Sequence, residues 1–138
     1  MVNFAFPIFP NRQTMDKKNV LLVEDDKFLS SLLRNRLEKE GINVIYAEDG
    51  EAALQALKQT KPDLILLDII LPKKSGFEVL EAIQQDPTLK DGPIVIISNL
   101  GQDGDVLRGK ELGAIEYFVK AQTSIDDLIN HIKKFVGI

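Results

Sequence analysis

Residues 62–72 read Pro62-Asp63-Leu64-Ile65-Leu66-Leu67-Asp68-Ile69-Ile70-Leu71-Pro72, and the run Leu64 to Leu67 decides the fold. It is apolar at every position, not at every second one, as a strand buried on both faces must be. Four more runs share this character: Val20-Leu21-Leu22-Val23, Val44-Ile45-Tyr46-Ala47, Ile94-Val95-Ile96-Ile97 and Tyr117-Phe118-Val119. Helical stripes separate them. Leu29, Leu32, Leu33 and Leu37 recur at three- and four-residue spacing and stop at Gly41, a C-terminal cap. Ala52, Ala53, Ala56 and Leu57 make the next stripe, Phe77, Leu80 and Ile83 the third, and Ile125, Leu128, Ile129, Ile132 and Phe135 the fifth. The fourth, near Asp105 to Leu112, contains Gly109 and follows Gly104. Each glycine weakens a helix by about 0.5–1 kcal/mol relative to alanine, so this element is expected to be short or mobile.

Five strands alternating with five helices imply an α/β fold: a doubly wound, five-stranded parallel sheet of order 2-1-3-4-5 in a single domain. At 138 residues the chain holds one ordinary core. The domain is expected to span residues 19–138, with residues 1–18 as an appendage. Within that appendage Phe4, Phe6 and Phe9 alternate as strand residues do, so a segment pairing at a sheet edge is a second reading. Val2 to Phe9 lacks a preceding Lys or Arg, contains Asn3 and Pro7, and is not followed by a small-x-small cleavage site, which argues against a secretion signal.

The composition narrows the function classes. Seventeen Lys and Arg against twenty-one Asp and Glu give a net charge of −4, so there is no basic field to gather phosphate backbones, and direct nucleic-acid binding is not expected. Absence of cysteine removes disulfide scaffolds, thiolate metal sites and cysteine nucleophiles. A single histidine, His131, cannot build a multi-histidine zinc site. Neither membrane insertion nor secretion is expected, and a cytoplasmic location is.

In a doubly wound sheet, ligands sit beyond the carboxyl ends of the strands. There the sequence places Glu24-Asp25-Asp26 after the first run, Asp68 after the third, Ser98 after the fourth and Lys120 after the fifth. Two carboxylates about 4 Å apart repel by roughly 4 kcal/mol at an effective dielectric near 20, and Glu24, Asp25 and Asp68 make three. One lysine cannot neutralise such a cluster. A hard divalent cation with oxygen ligands can, and magnesium is the abundant one.

These segments, together with Ser75-Gly76 and Gly113-Ala114-Ile115-Glu116-Tyr117-Phe118-Val119-Lys120, resemble the receiver domain of two-component response regulators. The resemblance covers about Asn19 to Val136. It implies that Asp68 is the phosphoacceptor, taking a phosphoryl group from a phosphohistidine of a histidine kinase or phosphotransfer protein. Glu24, Asp25, Asp68 and the backbone carbonyl of Ile70 would hold Mg2+, with Glu24 acting mainly through water. Ser98 and Lys120 would bind phosphoryl oxygens. Ser98 and Tyr117 would be the switch, Tyr117 turning inward as Ser98 moves toward the phosphate. The face made by the fourth helix, fifth strand and fifth helix would then change and signal to a downstream protein, with dimerisation on phosphorylation one form of that output. The chain would not be an enzyme in the ordinary sense, although it would catalyse its own phosphoryl transfer and slow autodephosphorylation.

Three departures from the family pattern stand out. Ala121 follows Lys120 where proline in a cis peptide is usual, so a trans bond and a different loop are expected. Asn99 stands beside the pocket where alanine or glycine is usual. Ile70 and Leu100, at positions that tune hydrolysis in the family, are apolar and cannot orient an attacking water, which implies a long-lived phosphoryl state. Two further readings remain: a degenerate receiver serving as a phosphorylation-independent binding module, and a receiver fragment of a longer DNA-binding regulator or hybrid kinase. A flavodoxin is disfavoured because Glu24-Asp25-Asp26 would repel a flavin phosphate, and an aspartate-nucleophile phosphatase because Ile70 is not an acid.

Overall fold

A computed structural model of the chain describes residues 17–89 and 92–138. The alternating Phe4, Phe6 and Phe9, and all of the appendage before Lys17, lie outside the described residues. The strands are β1 (Asn19–Val23), β2 (Asn43–Ala47), β3 (Leu64–Leu67), β4 (Ile94–Ser98) and β5 (Glu116–Val119). The helices are α1 (Lys27–Lys39), α2 (Gly50–Gln59), α3 (Gly76–Gln85), α4 (Asp103–Glu111) and α5 (Ile125–Val136). The sheet is parallel throughout, in the order β2-β1-β3-β4-β5, as the alternation of runs and stripes requires.

Side chains along a strand point to opposite faces by turns, so each continuous apolar run feeds two cores. Leu21, Val23, Ile65, Leu67, Ile94 and Ile96 pack toward Ala53, Leu57, Phe77, Leu80 and Ile83 of α2 and α3. Val20, Leu22, Leu64, Leu66, Val95 and Ile97 pack toward Leu33, Leu37, Leu128, Ile129 and Ile132 of α1 and α5. The three central strands are buried almost end to end. The edge strands differ from the expectation of two buried faces: β2 and β5 are only partly covered along most of their length, because each has a neighbour on one side only.

Helix starts carry the caps that their sequence offers. Asp26 accepts the Leu29 N–H at 3.0 Å, Asp49 accepts the Ala52 N–H at 2.8 Å and Ser124 accepts the Asp127 N–H at 3.1 Å. Ser75 and Glu78 form a reciprocal capping box before α3, each bond 3.2 Å long. After α1, Gly41 adopts φ +82°, the left-handed conformation that ends a helix. The fourth helix is the shortest of the five, as its glycines suggest: it runs nine residues from Asp103, two earlier than the apolar pattern indicates. Among the described residues no helix is long and apolar enough to cross a membrane.

Candidate functional site

The carboxyl ends of β1, β3 and β5 deliver an acidic cluster and one ammonium to the same rim. Glu24 and Asp68 are 0% and 3% exposed, whereas Asp25 is exposed. Strand pairing sets their places. The Asp68 N–H donates to the Val23 carbonyl at 3.0 Å, and the Glu24 N–H donates to the Ala47 carbonyl at 3.1 Å. One oxygen from each of Glu24, Asp25 and Asp68 lies within 4.8 Å of the others.

Lys120 reaches into this cluster from the end of β5. Its ammonium lies 2.8 Å from Asp68 Oδ2, to which it donates a hydrogen bond, and 2.8 Å from Glu24 Oε1. The second contact is a charge pairing without hydrogen-bond alignment, and the buried Glu24 Oε1 has no hydrogen-bond partner. The other Glu24 oxygen accepts the Asp26 N–H at 2.9 Å. Asp68 Oδ1 accepts the Ile70 N–H at 3.2 Å. Burial pushes the Glu24 carboxyl above its ordinary range and the Asp68 charge adds to this, against the opposing pull of Lys120 and the Asp26 N–H. For Lys120, burial favours the neutral amine, but pairing with Asp68 and Glu24 outweighs it and raises the pKa.

Glu24, Asp25, Asp26, Asp68, Ile70, Asn99 and Lys120 line one open cleft of about 190 Å³. Three of its carboxylates, those of Glu24, Asp25 and Asp68, offer clustered oxygen ligands, and a buried Glu24 oxygen lacks a hydrogen bond, which fits a hard divalent cation. Lys120 is engaged with two of the three carboxylates.

Ser98 does not join the cleft lining. It is fully buried at the end of β4, and its Oγ accepts the Leu100 N–H at 3.3 Å. The Tyr117 hydroxyl donates to the carbonyl of the same residue, Leu100. Tyr117 is 8% exposed, its ring buried between β4 and α4. Burial and the charges of Asp105 and Asp68 raise its pKa, and its contact with the Ser98 hydroxyl opposes them.

The Lys120–Ala121 bond is trans, and a short 3-10 turn over Lys120–Gln122 leads toward α5. His131 is an exposed surface residue on α5, its ring 4.9 Å from that of Phe118. One contributor escapes sequence reasoning. Tyr46 donates to the Glu24 carbonyl at 2.7 Å, tying the acidic loop to β2, and nothing in the sequence signals it. Gly76 abuts the site: a Cβ there would stand 2.3 Å from the Asp68 carbonyl oxygen. The glycine of the pattern Asp68-x-x-x-Pro72-x-x-x-Gly76 was its visible signal.

Comparison with known proteins agrees with this geometry. Residues 20–133 match the response regulator receiver domain family. The transcriptional regulatory protein CpxR of Escherichia coli (strain K12) is 45% identical over 101 residues, 73% of this chain and 42% of that protein. The alkaline phosphatase synthesis transcriptional regulatory protein PhoP of Bacillus subtilis (strain 168) is 40% identical over 103 residues, 75% of this chain and 42% of that one. The chain thus matches less than half the length of these relatives. Among solved structures, the Francisella response regulator 1452 receiver domain superposes with a TM-score of 0.80 at 27% identity, covering 87% of this chain and 97% of that one. The Mn2+-bound form of response regulator Rcp1 superposes with a TM-score of 0.76 at 36% identity, covering 86% and 93%. Sheet order, the acidic rim with its lysine and the family match over residues 20–133 together make this chain a member of the response regulator receiver domain family of two-component systems.

Proposed function

We propose that Asp68 accepts a phosphoryl group from a phosphohistidine of a histidine kinase or phosphotransfer protein, in a Mg2+-dependent reaction within the cytoplasm. The observation that carries this reading is the placement of a buried Asp68 carboxylate at a strand end, 2.8 Å from Lys120 and clustered with Glu24 and Asp25. An Asp68 oxygen attacks phosphorus, the O–P bond forms as the P–N bond breaks, and the departing electron pair stays on the imidazole nitrogen. Glu24, Asp25, Asp68 and the Ile70 carbonyl would hold the ion, whose charge offsets that of the incoming phosphoryl oxygens. Lys120, already at Asp68, pairs with one of those oxygens as a point charge. Ser98 is buried outside the cleft lining, so to donate to another its hydroxyl must move toward the site, drawing with it the Leu100 N–H that it accepts, which couples the phosphoryl group to the β4–α4 loop and so to the face of α4, β5 and α5.

Incubation with a small phosphodonor and Mg2+, followed by intact mass measurement, tests the reading. The wild-type chain should gain one phosphoryl group and Asp68→Ala none; no gain in wild type would favour a phosphorylation-independent binding module. Because Ile70 and Leu100 cannot orient water, the acyl phosphate should outlast seconds, and Ile70→Asn should shorten its lifetime. The relatives CpxR and PhoP are transcriptional regulators, which favours, for the output, a receiver belonging to a longer DNA-binding regulator over a stand-alone domain signalling to a separate protein.

A further inference from the structure

Helix α4 contains two glycines in different surroundings. A Cβ added at Gly104 would meet nothing within 4 Å. At Gly109, which is buried, it would stand 2.6 Å from Ile96 Cδ1, 3.0 Å from Tyr117 Cδ2 and 3.2 Å from Tyr117 Cε2. Non-bonded carbons settle about 3.5–4.0 Å apart, so the Tyr117 ring occupies space that any other residue at 109 would claim. Something must yield if a methyl group appears there. The Ile96 Cδ1 methyl, the free end of a flexible side chain, can turn aside, whereas the two Tyr117 carbons move only with the whole rigid ring. The helix is tied to α3 by Arg108, whose guanidinium lies 4.2 Å over the Phe77 ring and 3.6 Å from Glu81. The ring, on the edge strand β5, is the part nearest the surface.

We propose that Gly109 is a positioning residue of the switch: its missing side chain admits the Tyr117 ring to its buried seat, and that seat lets the hydroxyl reach the Leu100 carbonyl. Ser98 holds the N–H of the same residue, so a helix residue outside the phosphoryl cleft sets whether the β4–α4 loop is fastened to β5. The inference rests on the phosphoacceptor reading for the meaning of Ser98, but its steric content stands apart from phosphate.

The test uses the full chain with 13C-labelled isoleucine δ1 methyls. Ile96 and Tyr117 are cross-strand neighbours, and a nuclear Overhauser contact between the Ile96 methyl and the Tyr117 ring should appear in wild type and in Gly104→Ala and vanish in Gly109→Ala. Its survival in a folded Gly109→Ala chain would overturn the proposal. Should that variant fail to fold, its cost is read as a shift in urea midpoint in a Tyr117→Ala background, against Gly104→Ala as control. Gly109→Ala should be tolerated once the ring is gone; failure there too would overturn the proposal. A wild-type chain that gains no phosphate overturns the phosphoacceptor reading alone, since the methyl contact is scored without any phosphodonor.

Discussion

Glu24 shows how a single residue is held for a task that the bare fold does not need. Its carboxylate is fully buried, one oxygen lacks a hydrogen bond, and burial raises its pKa above the ordinary 4.5. A carboxyl that binds its proton more tightly folded than unfolded contributes its full stability below 4.5 and loses it as the pH climbs through the folded value. Glu24→Gln, which cannot ionise, should therefore raise the urea midpoint at neutral pH in a chelator and flatten its pH dependence, while weakening the response to Mg2+. If the variant is less stable than wild type under chelation at neutral pH, pairing with Lys120 outweighs the cost of burial. Lys120 bridges Glu24 and Asp68 at 2.8 Å each, so a bound cation would compete with the ammonium for these carboxylates.

At the level of elements, the junction of β3 and α3 holds the acceptor in place. A side chain at Gly76 would collide with backbone, the Asp68 carbonyl oxygen and the Ile69 Cα at 2.7 Å, which cannot swing aside as a flexible side chain can. Gly76→Ala should displace the Asp68 loop, lower the denaturation midpoint sharply and abolish phosphoryl gain. Ser75→Ala removes only the capping box and should cost about 1 kcal/mol with phosphoryl gain preserved. Paired measurement of unfolding and mass gain separates the two. These elements were largely legible in the sequence because an apolar run buried on two faces, and a polar residue at its end, are local patterns. Glu24, Asp25, Asp26, Asp68 and Lys120 meet in one cleft as the strand ends foretold, whereas Ser98, placed at the same rim, does not line it. What escaped was contact between elements distant in the chain. Gly109 reads as a flaw in a helix until Tyr117 is seen lying against it, and Tyr46 reads as a strand aromatic until its hydroxyl is found on the Glu24 carbonyl. The edge strands escaped too, since their runs look like those of the centre.

Across the whole molecule, two apolar cores clamp the sheet and leave its carboxyl rim to carry charge. Helices α1 and α5 are joined by Arg36–Asp126 at 2.7 Å and Glu40–Lys133 at 2.8 Å, pairs worth about 0–1 kcal/mol each because they are partly exposed. Stability thus rests on the cores, and a cation held by the acidic rim would add to it. Binding linkage then predicts that Mg2+ at about 100 times its dissociation constant stabilises the fold by roughly 2.7 kcal/mol; urea unfolding should show this in wild type and not in Asp25→Asn. The most direct test joins the ion to the chemistry. Phosphoryl gain should be mapped by peptide mass spectrometry after exposure to a small phosphodonor at graded Mg2+ concentrations and in a chelator. The expected result is label confined to the peptide bearing Asp68, rising to saturation with Mg2+ and absent in the chelator. Equal labelling in the chelator, or label on another residue, would contradict the account.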